Sequence, residues 1–255
     1  RRQLAPAERP TRKIRTDISC RYYADNPDPY VGSESSLFEN LEQMLKYHII
    51  FVPCDSSGGL PDSPTVQNNI REFVRQGGKL YVTDWSSEFE DGPFPEFIVF
   101  GDDHDTTSSS NVNLGDSDDD YTSNSARAED PDLNAWLDLQ AGPRADLSVG
   151  EYNANSFAVH GNWNHIVDTP SIMIGQDEEG FPISEQAHAW VLGDWDSDGV
   201  MHPLTVTFEP TGCGRVMYST YHTTDGSHPG LNPQERILLY LIMEIGECKA
   251  GAIID

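Results

Sequence analysis

The chain has 255 residues, of which 42 are acidic and 16 are basic, so its formal net charge is −26 with histidine neutral. Hydrophobic residues make up 37% of it, which is enough to bury a sizeable core. The negative charge excludes a basic groove for nucleic acid and disfavours an anionic membrane surface, and no apolar run is long enough to span a membrane. Such acidity is typical of a calcium-rich or saline setting, where ions screen self-repulsion, or of an ordinary solvated surface.

The first elements in chain order predict a β-α-β unit of a parallel sheet. HIIFVPC is a continuous apolar run with β-branched residues, typical of a strand buried on both faces. The following helix ends at two glycines that can take left-handed caps, and KLYVTDW is the next strand. The predicted elements are an extended arm at 1–16, a strand at 17–23, a helix at 36–47, a strand at 48–54, a helix at 65–78 and a strand at 79–85.

The middle of the chain, residues 101–200, differs in composition. It is rich in Asp, Ser, Asn and Gly, and we predict that it forms a large acidic, loop-rich insertion over the strand ends of a single α/β domain spanning 17–255. Short strands are predicted at 156–161, 170–175 and 187–193, and one helix begins at Asp130 with a proline at its first position.

The last third predicts two neighbouring strands and a closing helix. HPLTVTF at 202–208 and GRVMYSTYH at 214–222 are joined through a turn, and a strongly apolar helix covers 232–248. Helices alternating with strands and joined by short connections indicate an α/β fold with a doubly wound, mostly parallel sheet.

Four cysteines are present, and none lies in a CxxC pair that would indicate a zinc ribbon. Their even number favours an exported protein with two disulfides, for which we predict the pairs Cys20–Cys54 and Cys213–Cys248. Two alternatives stay open: four reduced and buried thiols, or a nucleophilic Cys54.

Polar side chains follow three of the predicted strands. Cys54, Asp84 and His222 each stand at a strand's carboxyl end, where ligands bind in open parallel sheets. A cysteine and a histidine with a nearby acid are the minimum for catalysis by a thiol nucleophile. The alternative is that these strand ends merely face water.

Two acidic loops are candidate calcium sites. GDWDSDGV carries alternate carboxylates followed by a glycine, like the first half of a calcium loop, and GDSDDDY is a dense acidic cluster that a cation would neutralise. The predicted calcium ligands are Asp194, Asp196, Asp198, Asp116, Asp118 and Asp120. A hairpin turn with solvated acids is the alternative.

The segments 45–90 and 202–245 resemble the class I glutamine amidotransferase-like (flavodoxin-like) fold. Here the resemblance is carried by a strand with a glycine loop, a helix, GGKLYVTDW and the late MYSTYHT. It implies that His222 corresponds to the family's catalytic histidine and that Asp84 stands at the nucleophile position, where the family has cysteine between glycines. The chain is also similar to predicted surface proteins of myxobacteria.

These observations favour a non-catalytic exported module at the cell surface, outside the cell or in the periplasm. We expect calcium and disulfides to stabilise it, and we expect it to contact protein partners, including itself. One alternative is a hydrolase or amidohydrolase-like enzyme that uses Cys54 or Asp84 with His222. The other is a carbohydrate-binding module that stacks sugars on exposed tryptophans.

Overall fold

The structure is a computed structural model that describes nine stretches of the chain. The described residues are 33–54, 59–101, 121–140, 156–162, 164–176, 179–194, 199–210, 214–223 and 231–244. The predicted arm at 1–16 and strand at 17–23 lie outside them.

Within the described residues the chain forms six α-helices and eleven strands. The helices are α1 (Glu34–Phe38), α2 (Leu41–Met44), α3 (Pro64–Arg75), α4 (Glu88–Asp91), α5 (Pro131–Gln140) and α6 (Pro233–Glu244). The strands are β1 (Ile49–Val52), β2 (Lys79–Thr83), β3 (Val99–Phe100), β4 (Tyr121–Ala128), β5 (Phe157–Asn162), β6 (Ile166–Asp168), β7 (Ile172–Gln176), β8 (Pro182–Glu185), β9 (His188–Gly193), β10 (His202–Phe208) and β11 (Arg215–Ser219).

The predicted β-α-β unit is confirmed. β1 pairs in parallel with β2, and α3 connects them with its apolar face buried. Gly77 follows α3 with φ of 89°, the left-handed conformation that glycine adopts at little cost. The single helix predicted at 36–47 is instead two short helices, because Asn40 interrupts it and its side chain accepts a hydrogen bond from the Gln43 amide as a new N-cap.

The main sheet is mixed, so the predicted doubly wound, mostly parallel sheet is wrong. Seven strands run in the order β1-β2-β11-β10-β9-β4-β5. β1, β2 and β11 are parallel, whereas β11, β10, β9, β4 and β5 pair antiparallel with one another in that order. The sheet curls into a half-barrel.

Connection length explains the antiparallel pairing of β9, β10 and β11. A parallel pair needs a crossover of about a dozen residues or more, whereas antiparallel neighbours can be joined by a short turn. β9 leads to β10, and β10 to β11, through segments too short to contain a crossover helix. These strands must therefore reverse direction at each step.

Both faces of the sheet are covered by apolar side chains. Strand residues alternate between the two sides, since Leu80 and Val82 join one cluster and Tyr81 joins the other. The first cluster contains the buried residues of α3, and the second contains those of α5 and α6. The parallel strands are thus held rigidly from both faces at the point where their carboxyl ends meet.

The segment predicted as an insertion, 101–200, contributes strands to this main sheet. β4, β5 and β9 all come from it and extend the sheet beyond β10. α5 begins after Asp130 as predicted, and the Asp130 carboxylate accepts hydrogen bonds from the amides of Asp132 and Leu133. None of the helices in the described part of the chain combines the length and apolarity that a membrane crossing requires.

Candidate active site

Three parallel strands deliver the three polar residues to one place. β1, β2 and β11 are adjacent, and Cys54, Asp84 and His222 follow their carboxyl ends by at most a few residues. The structure therefore brings together the three residues for which the sequence predicted a catalytic role. The Cys54 sulfur, an Asp84 carboxylate oxygen and a His222 ring nitrogen all lie within 4.8 Å of one another.

Asp84 stands in a strained turn. Its φ is 51°, the left-handed region that residues other than glycine rarely adopt, and a 3₁₀ turn over Asp84–Ser86 follows β2 at once. Strain of this kind costs on the order of 1–3 kcal/mol and persists where surrounding contacts impose it. The turn points the fully buried Asp84 side chain towards His222.

Two buried donors hold the Asp84 backbone in this conformation. The Tyr218 hydroxyl donates to the Asp84 carbonyl oxygen at 2.9 Å, and Asn164 Nδ2 donates to the same oxygen at 3.2 Å. Asn164 Nδ2 also donates to Ser87 Oγ at 2.9 Å. Burial, followed by the charge of Asp84, raises the pKa of Tyr218 well above its usual value, so this hydroxyl remains a donor at neutral pH.

His222 lies in contact with both other members of the trio. Its Nδ1 is 2.8 Å from Asp84 Oδ2, and its ring also forms a hydrogen bond with Cys54. The side chain of His222 is only 15% exposed, that of Asp84 is 0% exposed, and Cys54 is buried. The arrangement is a carboxylate, an imidazole and a thiol within 4.8 Å of one another and largely shielded from water.

The charges of this cluster raise the pKa of His222. Burial is the largest single influence and lowers this pKa, but the hydrogen bonds to Asp84 and Cys54 and their negative charges together outweigh it. The result is a pKa of about 10. His222 is therefore an imidazolium at neutral pH, and its positive charge favours the thiolate form of Cys54.

The backbone of His222 is fixed from α6. Gln234 is 1% exposed, and its Nε2 donates to the His222 carbonyl oxygen at 2.6 Å and to the His160 carbonyl oxygen at 3.1 Å. Its Oε1 accepts from the His160 amide at 2.8 Å. One side chain thus ties the histidine to both α6 and β5.

The short helix α4 carries a second fully buried acid. Glu90 of α4 is 0% exposed, and neither of its carboxylate oxygens has a hydrogen-bond partner among the described residues. Burial, followed by the charges of Asp91 and Glu96, raises the pKa of Glu90 well above its usual value. This shift favours the protonated, uncharged form of the Glu90 carboxyl.

Sequence reasoning missed Asn164, Tyr218, Gln234 and Glu90. Tyr218 lies inside a predicted strand, Gln234 stands in the polar first turn of a predicted helix, and Asn164 follows a tryptophan in a polar loop. No spacing links any of them to residue 84 or 222. Their roles come from contacts between segments that are far apart along the chain.

Most other predicted site residues lie outside the described residues. These include Asp116, Asp118, Asp120, Asp196 and Asp198, together with Cys20, Cys213 and Cys248. Cys54 is a thiol in the structure. The predicted partner of Cys54 is not described, so both disulfide pairings stay predictions.

Asp194 is the described member of the first predicted calcium loop. Its Oδ2 accepts from the Gly199 amide at 3.0 Å, and its Oδ1 is buried with no hydrogen-bond partner among the described residues. Gly199 has φ of 84°, the sharp turn expected of the glycine in such a loop. Calcium binding here stays a prediction.

Removal of calcium is expected to lower the melting temperature. If calcium is present at about 100 times its dissociation constant, binding stabilises the folded state by about 2.7 kcal/mol. For a chain of this size that corresponds to roughly 5–10 °C. Differential scanning calorimetry with calcium and with a chelator measures the shift, and Asp194→Asn should reduce it. Equal melting temperatures in the two buffers would rule out a stabilising calcium site.

Two of the three described tryptophans contact the core, and the third, Trp85, is half-buried with its Nε1 shielded from solvent. Trp190 is 8% exposed and donates to Thr207 Oγ1 at 2.8 Å, and Trp136 packs against the cluster that contains α5 and α6. Trp163 and Trp195 lie outside the described residues. A sugar-stacking surface therefore has no support from the tryptophans that can be placed.

Comparison with known proteins gives no family. No family model matches the chain, and no curated protein matches it. Among solved structures the chain is similar to Gan42B, a GH42 β-galactosidase, with a TM-score of 0.36 and 15% identity over 79% of this chain. The chain spans 22% of the length of that enzyme. The expected membership of the glutamine amidotransferase-like family is wrong, because the sheet is mixed and curled rather than doubly wound and parallel.

Proposed function

We propose that this protein is a thiol-dependent hydrolase in which Cys54 is the nucleophile, His222 the acid–base group and Asp84 the residue that orients it. The single observation that carries the proposal is the contact of His222 with both other residues. Nδ1 meets the Asp84 carboxylate at 2.8 Å, and the ring forms a hydrogen bond with the thiol. A nucleophile in contact with a base, which a third group orients, is the arrangement that nucleophilic catalysis requires.

The reaction that fits these groups is acyl transfer to water. The Cys54 thiolate attacks the carbonyl carbon of an ester, thioester or amide, so that a C–S bond forms. The bond to the leaving group breaks, and the leaving group takes a proton from the His222 imidazolium. Water then attacks the acyl-cysteine while His222 accepts its proton. The acid is released and Cys54 is restored, which leaves His222 ready for the next cycle.

The electrostatics of the cluster suit this sequence of steps. Because the pKa of His222 is about 10, its imidazolium holds its proton at neutral pH. The thiolate therefore stays paired with a cation before the substrate arrives. The charge of Cys54 is one reason for the high pKa. When the thiolate becomes an uncharged thioester, that contribution disappears, so His222 becomes a stronger acid at the step in which the leaving group needs a proton.

Asp84 is assigned the orienting role rather than that of nucleophile. Its carboxylate is fully buried and bound to His222, so it is not presented to a substrate. Aspartate nucleophiles also act with a metal or phosphate apparatus, for which the sequence carries no P-loop motif.

The geometry favours this enzyme over the non-catalytic module. Burying a carboxylate, an imidazole and a thiol at the ends of a sheet costs desolvation free energy, so such a cluster is a poor way to stabilise a fold. Strongly perturbed pKa values, in contrast, cluster at functional sites. Export to the cell surface or periplasm, calcium, the Cys213–Cys248 disulfide and protein partners stay predictions that are compatible with either function, whereas a Cys20–Cys54 disulfide would exclude the thiol nucleophile.

The alkylation of Cys54 by iodoacetamide tests the proposal. We expect Cys54 to react at pH 7 at least about tenfold faster than glutathione, because its neighbour is a cation that favours the thiolate. Peptide mass spectrometry assigns the modified cysteine and separates it from the other three. His222→Gln should return the rate to that of an ordinary thiol.

Exposed Asp62 offers a matched control in the segment between Cys54 and α3. Asp62→Asn removes a carboxylate without touching the cluster and should leave the rate unchanged. Hydrolysis of p-nitrophenyl acetate should also show an acyl-enzyme on Cys54 by intact-mass analysis. A Cys54 that reacts no faster than glutathione in the folded protein would rule out the thiol mechanism.

A further inference from the structure

We infer that Cys54, Asp84 and His222 also form a binding site for zinc, which reversibly switches the thiol off. The inference of metal binding rests on geometry alone, whereas its regulatory meaning rests on the proposed function. The three residues offer a sulfur, a carboxylate oxygen and an imidazole nitrogen, all within 4.8 Å of one another. No other cluster of three or more such groups is found in the described part of the chain.

The three ligand atoms can reach a tetrahedral ion if the pairs of atoms move by roughly 1 Å relative to one another. Zinc lies about 2.3 Å from sulfur and about 2.0–2.2 Å from nitrogen or oxygen, which places ligand atoms roughly 3.3–3.6 Å apart. The Nδ1–Oδ2 contact of 2.8 Å between His222 and Asp84 must open by roughly half an ångström. The proton shared by these two atoms leaves, and the metal takes its place between them.

The ligand set selects zinc over calcium. Calcium and magnesium prefer oxygen ligands, whereas a thiolate with an imidazole suits zinc and its neighbours in the first transition row. Three protein ligands leave a fourth coordination position for water, as in zinc sites that are not purely structural. The site is therefore distinct from the calcium loops that the sequence predicts.

The ligands are held in place before a metal arrives. Tyr218 and Asn164 fix the backbone of Asp84, and Gln234 fixes the backbone of His222. All three of these residues are 6% exposed or less. Outer contacts of this kind orient metal ligands, and their loss typically costs 10–100-fold in metal affinity.

Zinc at this position would inhibit the hydrolase. The Cys54 electron pair that attacks a carbonyl would be bound to the metal, and the His222 nitrogen that faces Asp84 would lose its orienting contact. Cys54 would become unreactive until a chelator removed the ion. An enzyme of this kind would be active only where the concentration of available zinc is low.

Cobalt(II) titration of the full, chelator-treated chain under reducing, oxygen-free conditions tests the site. We expect one equivalent to bind with a thiolate-to-cobalt charge-transfer absorption in the near ultraviolet, and zinc should displace it whereas calcium should not. Cys54→Ser should abolish the band, and His222→Gln should weaken binding at least about 100-fold, since a direct ligand matters more than an outer contact. Asp62→Asn should leave the titration unchanged.

The alkylation assay gives an independent reading on the wild type. Zinc should slow the reaction of Cys54 with iodoacetamide at least about tenfold, and a chelator should restore it. If the charge-transfer band appears but Cys54 is unreactive in the metal-free protein, the metal site is supported and the proposed hydrolase is rejected. If Cys54 is reactive but no band appears, the zinc inference is overturned and the hydrolase stands. The same holds if Cys54 is reactive and the band persists in Cys54→Ser. Circular dichroism confirms that each variant is folded.

Discussion

Replacing Asp84 by asparagine is expected to lower p-nitrophenyl acetate turnover by roughly 10²–10⁴-fold. Alkylation of Cys54 at pH 7 should fall by about tenfold, to the rate of an ordinary thiol. Asparagine tolerates the left-handed backbone that Asp84 adopts, so the strained turn is preserved and the carboxylate charge is removed. Asp84 raises the pKa of His222, whereas burial lowers it. Without the carboxylate charge, the pKa of His222 therefore falls. The imidazolium is then lost at a lower pH, and the thiolate of Cys54 loses its cationic partner.

The pH profile separates this electrostatic role from a merely structural one. In the wild type His222 stays protonated up to about pH 10, so the alkylation rate should vary little between pH 6 and pH 8. In Asp84→Asn the rate should rise with pH as it does for an ordinary thiol. Asp62→Asn should match the wild type throughout. A variant with reduced rates but an unchanged, flat profile would contradict the role given to Asp84.

Gly214→Ala is expected to lower the free energy of unfolding by about 3 kcal/mol or more. A Cβ atom at this position would lie 1.8 Å from the carbonyl oxygen of Val74, which is backbone and cannot rotate away. α3 and the start of β11 would have to separate, and overpacking of this kind costs about 1–3 kcal/mol even where side chains can adjust. For a chain of this size the melting temperature should fall by roughly 6–12 °C.

Gly175→Ala is the matched control for this substitution. Nothing lies within 4 Å of the Cβ atom that it would add, so its effect should stay within about 0.5 kcal/mol. Urea denaturation followed by circular dichroism compares the two variants with the wild type. If both glycines tolerate alanine equally, then α3 does not approach β11 as closely as the structure shows.

The parallel part of the fold could be read from local sequence. The apolar run before Cys54, the helical spacing of α3 and the glycines after it are short-range signals, and they predicted both strands and their parallel pairing. The resemblance that extended this pattern to the whole sheet was wrong. The short connections on either side of β10 already demanded antiparallel neighbours. Strands were predicted near β5 and β9, but β4 was not, because its polar sequence lacks an apolar run.

The sequence by itself determined which residues could carry the chemistry, because a cysteine, an aspartate and a histidine each follow a buried strand. Only the tertiary structure decided that they touch. β11 inserts beside β2 although more than 130 residues separate Asp84 from His222, and the distance between two side chains depends on that pairing rather than on spacing along the chain. The left-handed turn at Asp84 also depends on tertiary contacts, since the distant Tyr218 and Asn164 hold it.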